Sequence, residues 1–516
     1  MRRPVVIVVA AVTALALLIG GAVAAGFALA PHATTPQRSA AAPPASWPAP
    51  AAIAWKACED TQLQQARAQC ATVRVPMDWS APDDGRTVGI AVSRVRHTAA
   101  EYEGVILANP GGPGGSGLRL ATLGAQVPGG IGARYDWIGF DPRGVGDSTP
   151  RLSCDADYAN GPRPAYDPAT VATIRAWRAR ADGYAKACGE KGGALLAHMT
   201  TRDSANDMEY LRLARKAPKI SFFGYSYGTY LGQVYATLYP SHLKRMVIDS
   251  NVDPTSVWYR ANLDQDRSFQ TALEAWFDWL ARYDSRFGLG STRSAVEQSY
   301  ERLQQRLAAD PADGVYGSAE LADTLLYAGY SQGLWPALGQ AFAQAEQGDT
   351  RAAQQYWKAL NEVADDNGYA VYLAVECTDA AWPADWSTWE ADTRRVDADA
   401  PFGTWLNTWF NAPCRTWPAK AGTPVEVDGA KAPPILVIGE TLDAATPFSG
   451  SETVRRLFPQ ARLLAEPGGT SHAESLNGNA CVDGAIADYL ADGSLPDRKT
   501  GDGPDLTCAP SPVPTP

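Results

Sequence analysis

Residues 222–236 read FFGYSYGTYLGQVYA. A short apolar run reaches Gly224, Ser226 stands between Tyr225 and Tyr227, and Gly228 opens a helix-like run. The pattern G-x-S-x-G between a strand and a helix is the context of a nucleophilic serine on a sharp turn, where bulky residues two before and two after it would collide with neighbouring backbone. The following helix then places its N-terminus under the serine, where unpaired N–H groups and the helix dipole favour developing negative charge. Without those flanks the same five residues are only a glycine-flanked turn.

The flanks repeat outward. TVGIAVSRV and GVILANP, then YDWIGFDPRG, read as strands; ANDMEYLRLAR as a helix; KISFFG as a strand; TYLGQVYATLY as a helix; LKRMVIDS as a strand. Alternation of this kind predicts βαβ units on a mostly parallel sheet. After Asp253-Pro254 the character changes: residues 255–430 are rich in Trp, Ala, Gln and Arg with helical periodicity and few strand-like runs. PPILVIGETLDAATP and ARLLAEPGGTSH then return to strand and loop, and CVDGAIADYLADG closes as a helix. The reading is an α/β fold with a mostly parallel central sheet, its core formed by residues 51–254 and 431–516 and interrupted by a helical cap insertion over 255–430. Such an insertion can roof the strand ends where open α/β sheets bind ligands.

The N-terminus has two arginines, a long apolar run and small-residue sites ending at Ala24 and Ala30, the layout of an export signal over residues 1–30. The run from Val5 to Ala30 is also long enough to serve as an uncleaved membrane anchor. Residues 31–50 form a Pro/Ala linker. The expected location is therefore secreted or extracellular, with membrane association only if the segment stays uncleaved.

Composition narrows the class. In a chain of 516 residues, 45% hydrophobic and 20% charged residues are ordinary for a globular protein, and a net charge of −11 with no basic stripe excludes nucleic acid as an expected partner. Eight cysteines without a CxxC pair favour disulfides over a metal site in an exported chain. Pairing of sequence neighbours gives Cys58 with Cys70, Cys154 with Cys188, Cys377 with Cys414 and Cys481 with Cys508; the alternative is one or two free buried thiols.

A serine hydroxyl needs a base at neutral pH, usually histidine. Of five histidines, His32 lies in the linker, His97 ends an early strand, His198 precedes a helix and His242 follows one; His472 alone falls in the loop after the last predicted strand, EPGGTSHAE. The acid that orients it is Asp443 in ETLDAATP, with Asp249 at the end of RMVID as its rival. The order Ser, acid, His along the chain is that of the α/β-hydrolase fold. For the oxyanion, one N–H donor is Tyr227 and the other is Gly112, with Gly111 beside it, in the glycine loop NPGGPGGSG at 109–117. A phosphate-binding loop is the competing reading, but the lysine and Ser/Thr it needs are missing.

NPGGPGGSG, DPRGVGDS at 141–148, GYSYGTYLG, LDAATP, AVECTDAAWP and a histidine in the last loop together resemble the secreted tripeptidyl aminopeptidases of actinomycetes, α/β hydrolases related to proline iminopeptidases. The resemblance runs from about residue 55 to 508 in motif order. Pro110 stands where proline iminopeptidases have histidine, as in the tripeptidyl branch, and Ser471 stands where relatives often have glycine. It implies Ser226 as nucleophile, Asp443 as acid, His472 as base, no metal or cofactor, and peptide or protein N-termini as substrates of an expected monomer.

An exopeptidase of that kind needs a carboxylate for the substrate ammonium, since an unpaired charge in a dry pocket is costly. Glu376 and Asp379 are the candidates, and Trp382, Trp386, Trp405 and Trp409 are candidates for an apolar subsite or for cap core. Arg143 and Asp147 are expected to shape a loop. The alternative activity is a carboxylesterase or lipase on the same triad, and the alternative from another class is a catalytically dead binding protein on the same fold. A haloalkane dehalogenase or epoxide hydrolase would want a carboxylate at position 226.

Overall fold

Along strand β6 (Ile220–Tyr225), Ile220 and Phe222 face one apolar core while Phe223 and Tyr225 face another. The same alternation puts Met246 and Ile248 of β7 (Leu243–Asp249) on the first core and Val247 on the second. Successive strand side chains point to opposite faces, so a strand that is apolar throughout is buried on both. Helices therefore cover both sides of the sheet. The helix Tyr227–Leu238 packs Tyr230, Leu231 and Val234 into the first core, and the C-terminal helix Ala480–Asp492 packs Ile486 and Leu490 into the second.

The computed structural model describes residues 47–161, 163–361 and 365–516; the expected export signal and most of the linker lie outside the described residues. The remaining strands are β1 (Lys56–Ala57), β2 (Gln69–Pro76), β3 (Thr87–Val95), β4 (Gly104–Asn109), β5 (Tyr135–Phe140), β8 (Leu436–Glu440), β9 (Arg462–Glu466) and β10 (Leu506–Thr507). They form one ten-stranded sheet in the order β1-β2-β3-β5-β4-β6-β7-β8-β9-β10. From β5 to β10 neighbouring strands are parallel, whereas β1, β2 and β3 join antiparallel. This is the α/β-hydrolase fold. The strand β2 was not among those expected from sequence; it enlarges the antiparallel edge, away from the chemistry.

Between β7 and β8 the described residues form helices and no strand. The helix Tyr259–Arg282 buries Phe269, Ala272, Leu273, Trp276, Phe277 and Leu280, the spacing of one helical face. The roof is not built from this insertion alone. The stretch between β5 and β6 contributes Tyr158, which stacks on Tyr369, and Trp177, which stacks on Trp409. Disulfides Cys154–Cys188 and Cys377–Cys414 lie in these two segments, Cys58–Cys70 ties the first strands, and Cys481–Cys508 ties the C-terminal helix to the tail. No cysteine is free. Among the described residues no helix is long and apolar enough to cross a membrane.

Candidate active site

The chain runs from β4 to β5 on one side and returns to β6 on the other, so the strand order reverses between β4 and β6. Ligands of open α/β sheets bind in the crevice at such a switch point, outside the carboxyl ends of the strands. Asn109, ending β4, is level with Gly224 near the end of β6, and the glycine loop and Ser226 follow directly. Ser226 has φ 56° and ψ −129°, and the helix Tyr227–Leu238 begins at the next residue. A Cβ on Gly224 would lie 2.7 Å from the Gly228 carbonyl oxygen, and one on Gly228 would lie 2.7 Å from that of Asn109. That is the steric reason for glycine on both sides. The turn is held by Ser226 N–H donating to the Asp249 carbonyl at 3.1 Å and by the Thr229 N–H donating to the Ser226 carbonyl at 2.8 Å.

The glycine loop sits against this turn. The Gly111 N–H donates to Asn109 Oδ1 at 3.0 Å, and a Cβ on Gly111 would come within 2.6 Å of the Tyr225 carbonyl oxygen and 2.9 Å of the Tyr227 nitrogen. Asp141 braces the far end of the loop by accepting from Ser116 Oγ at 2.6 Å, Gly117 N–H at 2.9 Å and Asp147 N–H at 2.9 Å. Burial pushes its carboxyl up to about 6. Arg143 is engaged in a buried bidentate pair with Asp207, at 2.7 and 2.8 Å, and donates to the carbonyls of Met77 and His198. It shapes the loop and has no donor aimed at the crevice among these contacts.

His472 and Asp443 meet on the other side of β7. His472 Nδ1 lies 2.9 Å from Asp443 Oδ2 and 3.0 Å from Oδ1, with both side chains buried. Asp443 Oδ1 also accepts the N–H groups of Ala445 and Thr446, at 2.8 and 3.0 Å, and Thr446 Oγ1 donates to Oδ2 at 3.0 Å. These bonds hold the acid in one orientation. The backbone N–H of His472 donates to the Tyr330 carbonyl at 2.9 Å, so the cap touches His472 directly. Ala473 N–H donates to Ser250 Oγ at 2.8 Å and Ser475 N–H to Asp249 Oδ2 at 3.0 Å. Asp249 thus takes the Ser226 N–H on its carbonyl and the base loop on its carboxylate; the carboxylate facing the imidazole is Asp443. Of the other described histidines, His97 pairs with Asp136 at 2.8 Å, His242 with Glu209 at 3.0 Å, and the His198 carbonyl accepts from Arg143.

Sequence reasoning missed Thr446, Asn109, Ser250 and Glu440, whose carboxyl accepts the Ser471 N–H at 2.6 Å. Thr446 had a readable signal, since Asp followed by two small residues and Thr fits a side-chain-capped turn. The others carry none.

A cleft of about 1080 Å³ opens from Gly112–Gly115 to the cap, where Tyr166, Trp357, Trp409 and Phe410 line it. Within its wall Arg163 pairs at 2.6 Å with Asp323 and with the buried Glu320 behind it, and Asp365 and Asp366 add two more carboxylates to the lining, so the cleft is acidic overall. Trp386 and Trp405 stack on Trp409 at 4.9 and 5.5 Å, while Trp382 donates to the Glu376 carbonyl. A second cavity, about 490 Å³, is lined by Trp258, Asn262, Glu376 and Thr446. Glu376 is fully buried, accepts from Asn262 Nδ2 at 3.1 Å and has the Tyr372 hydroxyl beside it, while Oε1 meets the geometry of no hydrogen bond; burial raises its carboxyl well above the usual range, against Tyr372 and Asn262. Asp379 accepts from Thr201 N–H, Thr201 Oγ1 and Trp258 Nε1, and burial raises it to about 6. Among the described residues no group of three or more His, Cys, Asp or Glu could hold a metal ion.

A family model described as TAP-like protein matches residues 400–508. The chain is 40% identical over 481 residues to a tripeptidyl aminopeptidase of Streptomyces coelicolor, covering 90% of this chain and 87% of that one. It is 32% identical over 486 residues to carboxylesterase B of Mycobacterium tuberculosis, covering 88% and 90%. It is 29% identical over 476 residues to serine protease Hip1 of the same organism, covering 86% and 89%.

Proposed function

The chain belongs to the tripeptidyl aminopeptidase family of α/β hydrolases, and from that premise we propose that it is a serine exopeptidase releasing short N-terminal peptides, tripeptides foremost, through an acyl-enzyme. Ser226 Oγ attacks the scissile carbonyl while the nitrogen of His472 that faces away from Asp443 takes its proton. Asp443 holds the Nδ1–H and stabilises the imidazolium. The oxyanion is bound by the amides of Tyr227 and Gly112; the Gly111 N–H is already engaged by Asn109. His472 then protonates the leaving amine, and water, deprotonated by the same imidazole, releases the peptide. The observation that carries this reading is the shared anchorage: the Ser226 turn hangs on the Asp249 carbonyl, and the loop bearing His472, paired with Asp443, hangs on the Asp249 carboxylate.

The N-terminal end of the substrate lies in the cavity lined by Trp258, Asn262, Glu376 and Thr446, and the rest of it in the aromatic cleft beside Gly112. Of the two carboxylates considered for its ammonium, Glu376 has the stronger support, because one oxygen meets no hydrogen bond while those of Asp379 are taken. A substrate amine that enters neutral takes the proton from Glu376, leaving an ammonium paired with the carboxylate. Export with removal of the first 30 or so residues fits four disulfides in one chain. N-terminal sequencing of protein recovered from culture medium tests the cleavage, and a start at Met1 contradicts it.

The activity is tested with chromogenic peptides of one to four residues, each free and N-blocked, beside an ester of equal acyl size. Cleavage of free tripeptides that is lost on blocking is the expected result. Indifference to the amine, with the ester hydrolysed far faster, moves the assignment to a carboxylesterase, the reading favoured by the carboxylesterase B relative.

A further inference from the structure

Strands β8 and β9 end on a pair of glutamates directly opposite one another, Glu440 and Glu466, and both are buried. Like charges directly opposite in a sheet repel, and a dry surrounding strengthens the repulsion. The loop from Glu466 to His472 folds over the first of them. Glu440 Oε2 accepts the Ser471 N–H at 2.6 Å, one residue before the base. A Cβ on Gly469 would lie 2.4 Å from the same oxygen, so the loop backbone lies against the carboxyl. The Leu442 N–H donates back to the Gly469 carbonyl at 2.9 Å, which couples the loop carrying Asp443 to the loop carrying His472.

We propose that Glu440 is a positioning residue for the base: as a neutral acid it accepts the Ser471 N–H and lets the His472 loop close over it, and its ionisation releases that loop. This rests on the reading of Ser226 and His472 as nucleophile and base. The charged groups facing Glu440 are Glu466 on β9, Asp443 on the acid loop and Glu474 beyond the base, all acids, and His472 is the sole basic side chain between residues 467 and 479. Glu466 in turn faces Asp249, Glu474 and Asp483, and its carboxylate accepts from Asn479 Nδ2 at 2.6 Å. No lysine or arginine is among these neighbours to offset a charge on Glu440. Burial raises it most; the Ser471 N–H, next in size, favours the charged form, and Glu466 and Asp443 raise it again, to about 9, so release on ionisation is driven by the buried charge and its acidic neighbours outweighing that one bond; burial with Asp249 raises Glu466 to about 7.

The sign follows. A carboxyl raised from about 4.5 to about 9 on folding binds a proton in the folded chain that the unfolded chain has lost between those values, so folding weakens with rising pH across that window and levels off above it. Activity that depends on the neutral form declines as pH passes about 9.

The test is the second-order rate of labelling by a fluorophosphonate from pH 6 to 10.5, a probe without an amine, so deprotonation of a substrate ammonium cannot mimic the effect. Wild type should show an alkaline decline near pH 9. Glu440→Gln, which keeps an acceptor for Ser471 but cannot ionise, should hold its rate to pH 10.5. Glu440→Leu, which loses the acceptor, should label at least tenfold more slowly at every pH, and melting curves at pH 7 establish that each variant is folded. A Glu440→Gln profile superimposable on wild type, or a folded Glu440→Leu labelled at the wild-type rate, overturns the proposal. A wild type that is not labelled at all contradicts the serine hydrolase reading instead.

Discussion

The two halves of the site are built from different materials. On the Ser226 side, the turn and the loop at 109–117 are fixed by backbone packing: Gly111, Gly224 and Gly228 each lie where a Cβ would press within 2.9 Å of main-chain atoms. On the His472 side, the acid and base are held by side chains, with Thr446 on Asp443, Ser250 on Ala473, Asp249 on Ser475 and Glu440 on Ser471. The first half is set mainly by steric exclusion at its glycines, with Asn109 and Asp141 bracing the loop between them. The second depends more on charge and hydrogen bonding. Both halves converge on the end of β7, where Asp249 takes the Ser226 N–H on its carbonyl and the Ser475 N–H on its carboxylate.

Breaking each half should give a distinct signature. The largest effect is expected from Ser226→Ala, a loss of roughly 10⁶ in kcat with folding intact, since removal of the nucleophile leaves only binding and the oxyanion donors. Next is Asp443→Asn, about 10⁴ in kcat, because an amide presents the wrong partner to His472 Nδ1. Steady-state kinetics on the preferred peptide check both. Gly111→Ala should cost about 10²-fold by displacing the Tyr227 amide and the loop amides together, and unlike the first two it should also lower Tm, through a contact of 2.6 Å and a φ of 94° that Ala adopts with strain. Thr446→Val keeps the shape but removes one bond to the carboxylate, about tenfold in kcat with little change in KM. A Gly111→Ala variant with unchanged Tm and kcat would erase the distinction between the halves.

The same contrast explains what could be read from the amino-acid order. The glycine-built half is legible because steric exclusion leaves only one residue type, so NPGGPGG and GYSYG announce their own geometry. The alternation of Ile220, Phe222, Phe223 and Tyr225 between two cores also appears in sequence as an unbroken apolar run. The polar half is less legible. Asp249 ends β7 and Asp443 follows β8 in the next loop, and only the direction of their hydrogen bonds separates the loop brace from the partner of the imidazole. Ser250 and Glu440 read as ordinary strand-end polar residues because nothing local records what folds over them. Nor did sequence show that the stretch between β5 and β6 joins the roof, since the stacking of Trp177 on Trp409 links residues 232 positions apart.

The most direct test of the central claim is to inactivate the protein with a fluorophosphonate and map the adduct by peptide mass spectrometry, with Ser226→Ala alongside. The account predicts one adduct, on Ser226, formed in step with loss of peptidase activity and absent from the variant. Inactivation with the adduct on another residue, or full peptidase activity in Ser226→Ala, would contradict it.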